Sequence, residues 1–450
     1  MRAIEELMAP EPTTAPAQST IRIGIVGYGT VGQATAEILA GHAQEIRQRT
    51  GGAALEVTRI SRKNPRAEET GINGVPVVED WREVVGAADV DIVIEAIGGT
   101  DVAYEVVHTA IATGKPVVTA NKALIARHGE ELFALARAKN LPIGIEASVA
   151  GGVPVIRAIS EALAADRIQA IYGIVNGTCN YVLTQMDLHE IDFAQALRQA
   201  QAAGYAEADP SLDVDGLDAR DKITILARVA FHGALAPAQV PTTGIREVKA
   251  IDFHYARRLD STIRLVASAE RLHDGIKVGV RPWLVPRDSM LAKVNGANNA
   301  IFVAGEKAGT QMFCGPGAGG GATATAVLSD VVHIGRHLSR QQSVPEALAG
   351  LRNNQPLPLS DGSRPLSWYL RLTVADRPGI LAQVAEAIAL DNINIDSVIQ
   401  EPHMHKERLS FVITLEPVNE SVVRHAVQAI NKFAFMLEPV LLMPISSEAG

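Results

Sequence analysis

The chain has 450 residues, 47 % of them hydrophobic and 20 % charged, with a formal net charge of −9. That length predicts two or three domains of ordinary globular composition. The acidic balance argues against a nucleic-acid partner, which needs a basic face. No apolar run reaches the ~18–20 residues of a membrane span, and two cysteines, Cys179 and Cys314, are too few for a disulfide framework or a thiolate metal site.

Residues 1–20 are acidic and then rich in Pro, Thr and Ala. They lack the basic-then-apolar order of a secretory leader and read as a disordered tail, so a reduced, cytoplasmic protein is expected. "IRIGIVGYGTVG" follows: an apolar strand, then Gly27-x-Gly29-x-x-Gly32, then helical spacing to about Gln48. The first glycine allows a tight turn, the second a close approach of backbone to a pyrophosphate, the third close helix–strand packing. Gly27, Tyr28, Gly29, Thr30, Val31 and Gly32 are therefore candidate dinucleotide contacts. "LEVTRI", "VDIVIEAI", "KPVVTA" and "PIGIEAS" read as buried strands alternating with helices. They predict a Rossmann-type doubly wound parallel sheet over residues 21–152. The second strand ends "RISRKNPR", with Arg62 and Lys63 and no acid, which favours NADP(H) over NAD(H); a solvated basic loop is the alternative. "VVTANKALIARHG" places Asn121 and Lys122 at the carboxyl edge of the sheet, where such folds bind ligands.

Residues 153–320 read as an α+β catalytic and dimerisation domain. In "RIQAIYGIVNGTCNYVLTQM" a strand is followed by an Asn176-Gly177-Thr178 turn and a helix. The turn could hold a carboxylate, or Thr178 could simply cap the helix. "GYAEADPSLDVDGLDARDK" carries six acids in nineteen residues and ends on Lys222. Asp218 and Lys222 are i and i+4 and share a helical face. "ITILARVAF" then continues as a helix too apolar to be solvated. Either these charges form a structural ion pair beside a solvated acidic loop, or Glu207, Asp213, Asp218 and Lys222 converge on a substrate bearing an ammonium and a carbonyl group.

"GPGAGGGATATAVLSDVVHIGRHL" is a second glycine turn and helix. Its helix, residues 321–342, is expected to return to the dinucleotide domain and to bring Gly317 to the cofactor. Residues 343–365, with four prolines from 344 on, read as a linker. Residues 366–450 have the order βαββαβ of a ferredoxin-like unit.

"AQAAGYAEADPSLDVDGLDARDK" resembles the signature of homoserine dehydrogenases, and "GYGTVG", "VVTANKALIARHG", "EASVAGGVPVI", "NGTCNY" and "GPGAGGGATATAVLSD" match that family in order. One departure is "GGTDVAYE", where family members usually have a proline near position 102. The resemblance implies reversible reduction of L-aspartate 4-semialdehyde to L-homoserine by NAD(P)H, in threonine, methionine and isoleucine biosynthesis. It makes Lys222 the proton donor, oriented by Asp218, with Lys122 between cofactor and substrate. Glu207 and Asp213 receive the substrate's amino group, and Gly177 and Thr178 lie against it. It also implies a monovalent cation, sodium, at the Glu146 carboxylate and the carbonyls of Val149, Gly151 and Val153; a glycine-rich strand exit accounts for that composition equally well. "DRPGILAQV" and "DNINIDS" resemble an ACT domain. That resemblance implies an amino-acid effector, threonine, near Asp376, Gly379 and Asn394, in a homodimer or homotetramer; a dimerisation module without a ligand is the alternative.

Two other readings compete: an amino-acid dehydrogenase acting at a C–N bond, and a catalytically silent cofactor and amino-acid sensor. The layout of Glu207, Asp218 and Lys222 disfavours both. The residues before Ile21 are too few for a fused kinase domain.

Overall fold

The computed structural model describes residues 20–339, 355–362, 364–401 and 406–446. Most of the expected tail at 1–20, and residues 343–354 and 363 of the expected linker, lie outside them. Six strands make an all-parallel sheet: β1 (Thr20–Val26), β2 (Ala54–Ser61), β3 (Val77–Val78), β4 (Ile92–Glu95), β5 (Val117–Thr119) and β6 (Ile143–Gly144). Their order is β3-β2-β1-β4-β5-β6, with the switch point between β1 and β4, as in dinucleotide-binding folds.

Alternation along the strands explains why they read as continuous apolar runs. Ile92 and Ile94 face one core while Val93 faces the other, because successive side chains point to opposite faces. On the first face pack helix α1 (Thr30–Gly41) and the later helix Gly320–Ser339. On the second pack α2 (Asp101–Ala112) and α3 (Lys122–Ala138). The helical run expected to Gln48 is broken at His42, after which a separate helix spans Ala43–Arg49.

The second sheet has nine strands. Strands β7 (Ile168–Ile174), β8 (Ser261–Arg271), β9 (Ile276–Pro286), β10 (Asn298–Gly305) and β11 (Gly309–Pro316) form its first part. Helices α4 (Gly177–His189), α5 (Leu217–Phe231) and α6 (Ala250–Arg258) pack on it, and α7 (Gly320–Ser339) leads back to α1. The C-terminal unit contributes β12 (Leu366–Val374), α8 (Ile380–Leu390), β13 (Ile395–Gln400), β14 (Leu409–Val418), α9 (Glu420–Ile430) and β15 (Leu441–Ile445). Its strand order, β15-β12-β14-β13, is ferredoxin-like, and β15 joins β9 through one parallel pair, Ile445 with Leu284.

Alternation on β12 explains this docking. Trp368, Leu370 and Leu372 face the unit's own helices. Tyr369 and Arg371 face α6, where the Tyr369 hydroxyl donates to Asp252 Oδ1 at 2.7 Å and Arg371 Nη1 pairs with Asp252 Oδ2. Residues 355–362, in the stretch read as a linker, run alongside the catalytic part instead of hanging free. Leu357 N donates to Ala234 O at 2.8 Å, Ile276 N donates to Pro358 O at 2.8 Å, and Leu357 is buried.

Candidate active site

The first glycine loop fits a pyrophosphate. At Gly27, whose φ is +105°, an added Cβ would lie 2.5 Å from Ala96 O, and at Gly32 it would lie 2.1 Å from Gly27 O. Gly29 has nothing within 4 Å of that position, and no side chain caps α1. Open space and free helix-terminal N–H groups therefore coincide there. Opposite, across the switch point, the loop after β4 holds Gly98 and Gly99, both at positive φ with open space beside them. Buried Glu95 shapes that loop: it accepts from Ile97 N at 2.8 Å, from Gly98 N at 3.4 Å and from the Thr119 hydroxyl. Burial pushes the Glu95 carboxyl up. Asn121 caps α3 by accepting from Leu124 N at 3.1 Å and donates to Gly99 O at 2.6 Å.

At the end of β2, Arg62 is not free. Its guanidinium pairs with Glu69 at 3.0 Å, and Glu69 also accepts from Arg66 N at 2.8 Å. An acid is thus present beside the basic pair, eight residues beyond the strand end where the sequence reading looked for it. Lys63 is exposed. In the second glycine loop it is Gly320 that meets the first: an added Cβ would be 3.0 Å from Thr30 Cγ2. Gly317 is wedged between Gly151 and Asn299.

Helix α5 is buried along nearly its whole length, with Asp218 6 % and Lys222 8 % exposed. Arg228 anchors it by donating to Ile125 O at 2.9 Å and Ala126 O at 2.8 Å on α3 and to Leu235 O at 2.9 Å. That clamp brings the first residue of α3, Lys122, to α5. Asp218 then lies between two cations: Oδ1 is 2.7 Å from Lys122 Nζ and Oδ2 is 2.9 Å from Lys222 Nζ. Burial opposes its charged form, but the two lysines outweigh burial and hold Asp218 well below the usual carboxylate range. For Lys122 likewise, partial burial is outweighed by Asp218, and its pKa is raised. Lys222 also donates to Val175 O at 2.7 Å, a carbonyl that accepts from Asn299 Nδ2 at 3.0 Å as well. An ammonium has three donors; these two contacts leave one.

The Asn176 turn completes the group. Asn176, not Thr178, caps α4: its Oδ1 accepts from Cys179 N at 2.8 Å. Its Nδ2 donates to Asp213 Oδ1 at 2.6 Å and to Asp218 Oδ2 at 2.8 Å. Burial raises the Asp213 carboxyl, and nearby Asp218 adds to that. Gly177 is pressed against the Ala297 carbonyl, 2.6 Å from an added Cβ, and Thr178 donates to Tyr205 O at 2.6 Å. Asp213, Asp218, Lys122 and Lys222 are thus drawn together, with Gly177 and Thr178 next to Asn176. Glu207 stands on an exposed loop, its carbonyl accepting from Gln201 Nε2 at 3.1 Å.

Glu146 is buried, and its two oxygens accept from Ile156 N at 2.9 Å and Arg157 N at 2.8 Å. Its own N–H donates to Asp330 Oδ2 at 2.9 Å. Burial and the Asp330 charge push its carboxyl up to about 7. Among the described residues no cationic side chain pairs with Glu146, and no group of three His, Cys, Asp or Glu could hold a metal ion. A buried carboxylate with no side-chain ion pair, followed in the chain by the carbonyls of Val149, Gly151 and Val153, is a donor set of the kind a hard monovalent cation takes. In the C-terminal unit, Gly379 begins α8 with φ +89°, Asp376 is exposed on the same turn, and Asn394 donates to Glu416 Oε2 at 2.9 Å. No helix of the described residues is long and apolar enough to cross a membrane.

Asn176, Glu95 and Glu69 were missed as site residues. Asn176 carried the available signal, a capping type at the end of a strand before a glycine.

Comparison with known proteins agrees with this geometry. Residues 27–146 match the model of the homoserine dehydrogenase NAD-binding domain, 154–332 that of homoserine dehydrogenase, and 368–435 that of the ACT domain. A homoserine dehydrogenase of Pseudomonas aeruginosa is 39 % identical over 94 % of this chain and 98 % of its own. The structure of a homoserine dehydrogenase from Thiobacillus denitrificans superposes with a TM-score of 0.89 at 36 % identity, covering 96 % of this chain and 99 % of that one. A hyperthermophilic archaeal homoserine dehydrogenase in complex with NADPH superposes with a TM-score of 0.58 at 29 % identity, over 70 % of this chain and 97 % of that one. With two nicotinamide-fold glycine loops meeting at one cleft and a lysine–carboxylate cluster beside it, the chain belongs to the homoserine dehydrogenase family of NAD(P)-dependent oxidoreductases, with a C-terminal ACT domain.

Proposed function

We propose that the reduction of L-aspartate 4-semialdehyde to L-homoserine runs here on Lys222 as proton donor, with NADP(H) preferred to NAD(H). The observation that carries this is the seat of Asp218 between Lys122 and Lys222. The nicotinamide, when bound, supplies the hydride to the aldehyde carbon. Asp218 and the Val175 carbonyl hold two donors of Lys222, so the third points at the substrate oxygen. As negative charge develops there, Nζ passes its proton to that oxygen and yields the alcohol. In the oxidising direction neutral Lys222 takes the hydroxyl proton back.

Lys122 places a second positive charge between cofactor and substrate. Asp213 and Glu207 receive the substrate's ammonium group, and Gly177 and Thr178 let substrate approach the start of α4. Gly27 to Gly32 cradle the pyrophosphate, with Gly317 and Gly320 closing on it, and Arg62 with Lys63 meets a 2′-phosphate. A sodium ion sits at Glu146 and the carbonyls of Val149, Gly151 and Val153. The ACT unit binds threonine near Asp376, Gly379 and Asn394, within a homodimer or homotetramer.

The test is loss of nicotinamide absorbance with aspartate semialdehyde, using NADPH and NADH in parallel, with and without threonine. Rapid oxidation by wild type and loss of ~10²–10⁴-fold in Lys222→Ala, with cofactor binding retained, is the expected result. Near-normal turnover of Lys222→Ala would remove that residue from the chemistry.

A further inference from the structure

Between the ammonium-binding acid and the lysine's acid lies one neutral side chain with every strong donor committed. Asn176 is 4 % exposed. One Nδ2 hydrogen goes to Asp213 at 2.6 Å and the other to Asp218 at 2.8 Å, while Oδ1 takes the Cys179 N–H at 2.8 Å. The orientation is forced. A flipped amide would set its oxygen against two carboxylates and its NH₂ against a backbone N–H. The oxygen of Asp218 that Asn176 holds is the one facing Lys222.

We infer that Asn176 is a positioning residue that ties the substrate-ammonium site at Asp213 to the proton-donor seat at Asp218–Lys222. The inference rests on the proposed roles of Asp213 and Lys222. Two carboxylates sharing one buried donor group would otherwise repel, and one of them would move or take up a proton. The amide separates them while bonding both, so substrate held by Asp213 lies in register with Lys222. Its cap on α4 fixes the amide to the same turn that carries Gly177 and Thr178. Replacing Asn176 therefore disturbs kcat, through Lys222, and KM for the amino-acid substrate, through Asp213, together.

Asn, Asp and Ser are all good helix caps, which separates this role from a merely structural one. Asn176→Asp keeps the capping oxygen but loses both donors and adds a third carboxylate. Asn176→Ser keeps a neutral cap and loses the bridge. In both, kcat/KM for aspartate semialdehyde is expected to fall about 10- to 100-fold, the scale of lost hydrogen bonds to charged groups, with the larger loss in Asn176→Asp. NADPH binding, followed by its fluorescence, is expected to stay within about twofold, because none of these atoms lies at the glycine loops. In an Asp213→Asn background, Asn176→Ser is expected to cost much less than it does alone. Normal kcat and KM in a folded Asn176→Ser, or full additivity with Asp213→Asn, would overturn the inference; should Asn176→Asp fail to fold, Asn176→Ser decides. Lys222→Ala that still turns over would overturn the underlying reading as well. An inactive Lys222→Ala beside a normal Asn176→Ser would remove this inference alone.

Discussion

Lys122, the first residue of a helix on the parallel sheet, reaches Asp218, on a helix of the second sheet, at 2.7 Å. The two halves of the molecule thus meet in a charged contact at the cleft, and Arg228 secures the same pair of helices with backbone bonds. Asp218→Asn leaves Lys122 and Lys222 facing a neutral amide. Removing one member of a buried charged group costs about 3–5 kcal/mol, so both stability and turnover are expected to fall. Lys122→Met is expected to cost less stability, since its side chain is 41 % exposed, yet to reduce turnover. Thermal melting and steady-state rates on both variants check this. An Asp218→Asn enzyme with unchanged melting and rate would mean the carboxylate seats neither lysine.

Cofactor choice is expected to turn on two side chains, Arg62 and Glu69. Arg62 is already paired with Glu69 at 3.0 Å, so a 2′-phosphate must compete with that acid for the guanidinium. Arg62→Ala is expected to raise the Kd of NADPH well above its effect on NADH. Glu69→Gln frees the guanidinium and is expected to shift the ratio further toward NADPH. The check is parallel titration of both cofactors; equal effects on both would mean this corner does not read the phosphate.

Most of the architecture was legible because it rests on periodicity and glycine geometry. The strands of the parallel sheet, the buried helix after Lys222 and the βαββαβ unit all follow from patterns of period 2 and 3.6. The pairing of Asp218 with Lys222 was legible as i, i+4. That of Asp218 with Lys122 was not, because it depends on how α3 and α5 cross. Glu69 was hidden for a different reason: it comes from a loop that folds back past the strand end. Asn176 looked like turn chemistry, and only the meeting of the start of α4 with residues 211–214 and the start of α5 gives its amide two carboxylates. The placement of β15 beside β9 also lay beyond any local pattern, since a single backbone pair makes it.

Sodium dependence is expected to track Glu146. This carboxylate is buried, raised to about 7, and among the described residues its hydrogen bonds come from the backbone N–H groups of Ile156 and Arg157. A monovalent cation held there would stabilise the folded state by mass action. Replacing sodium with a bulky organic cation at constant ionic strength is expected to lower the melting temperature of wild type but not of Glu146→Gln. The same sensitivity in both proteins would place any ion effect elsewhere.

The junction between the catalytic sheet and the C-terminal unit is expected to loosen in acid. Glu420, at the start of α9, pairs with Arg281 at 2.6 Å and Lys277 at 2.8 Å on β9. Burial of Glu420 opposes ionisation, but these cations and Arg424 outweigh it and lower its pKa from 4.5 to about 2. A folded-state pKa below the unfolded one means the unfolded chain binds the proton more readily. The pairing therefore stabilises fully above about pH 5 and is lost progressively as pH falls from about 4.5 toward about 2. That shift corresponds to about 3 kcal/mol. Glu420→Gln is expected to melt lower at pH 7 and to show a smaller further loss between pH 5 and about 3 than wild type does. Hydrogen exchange on β15 and α9 is expected to locate the loosening at this junction, while α5, which carries Lys222, stays protected. Identical acid profiles for the two proteins would mean that Glu420 is no more stabilised in the fold than in the open chain.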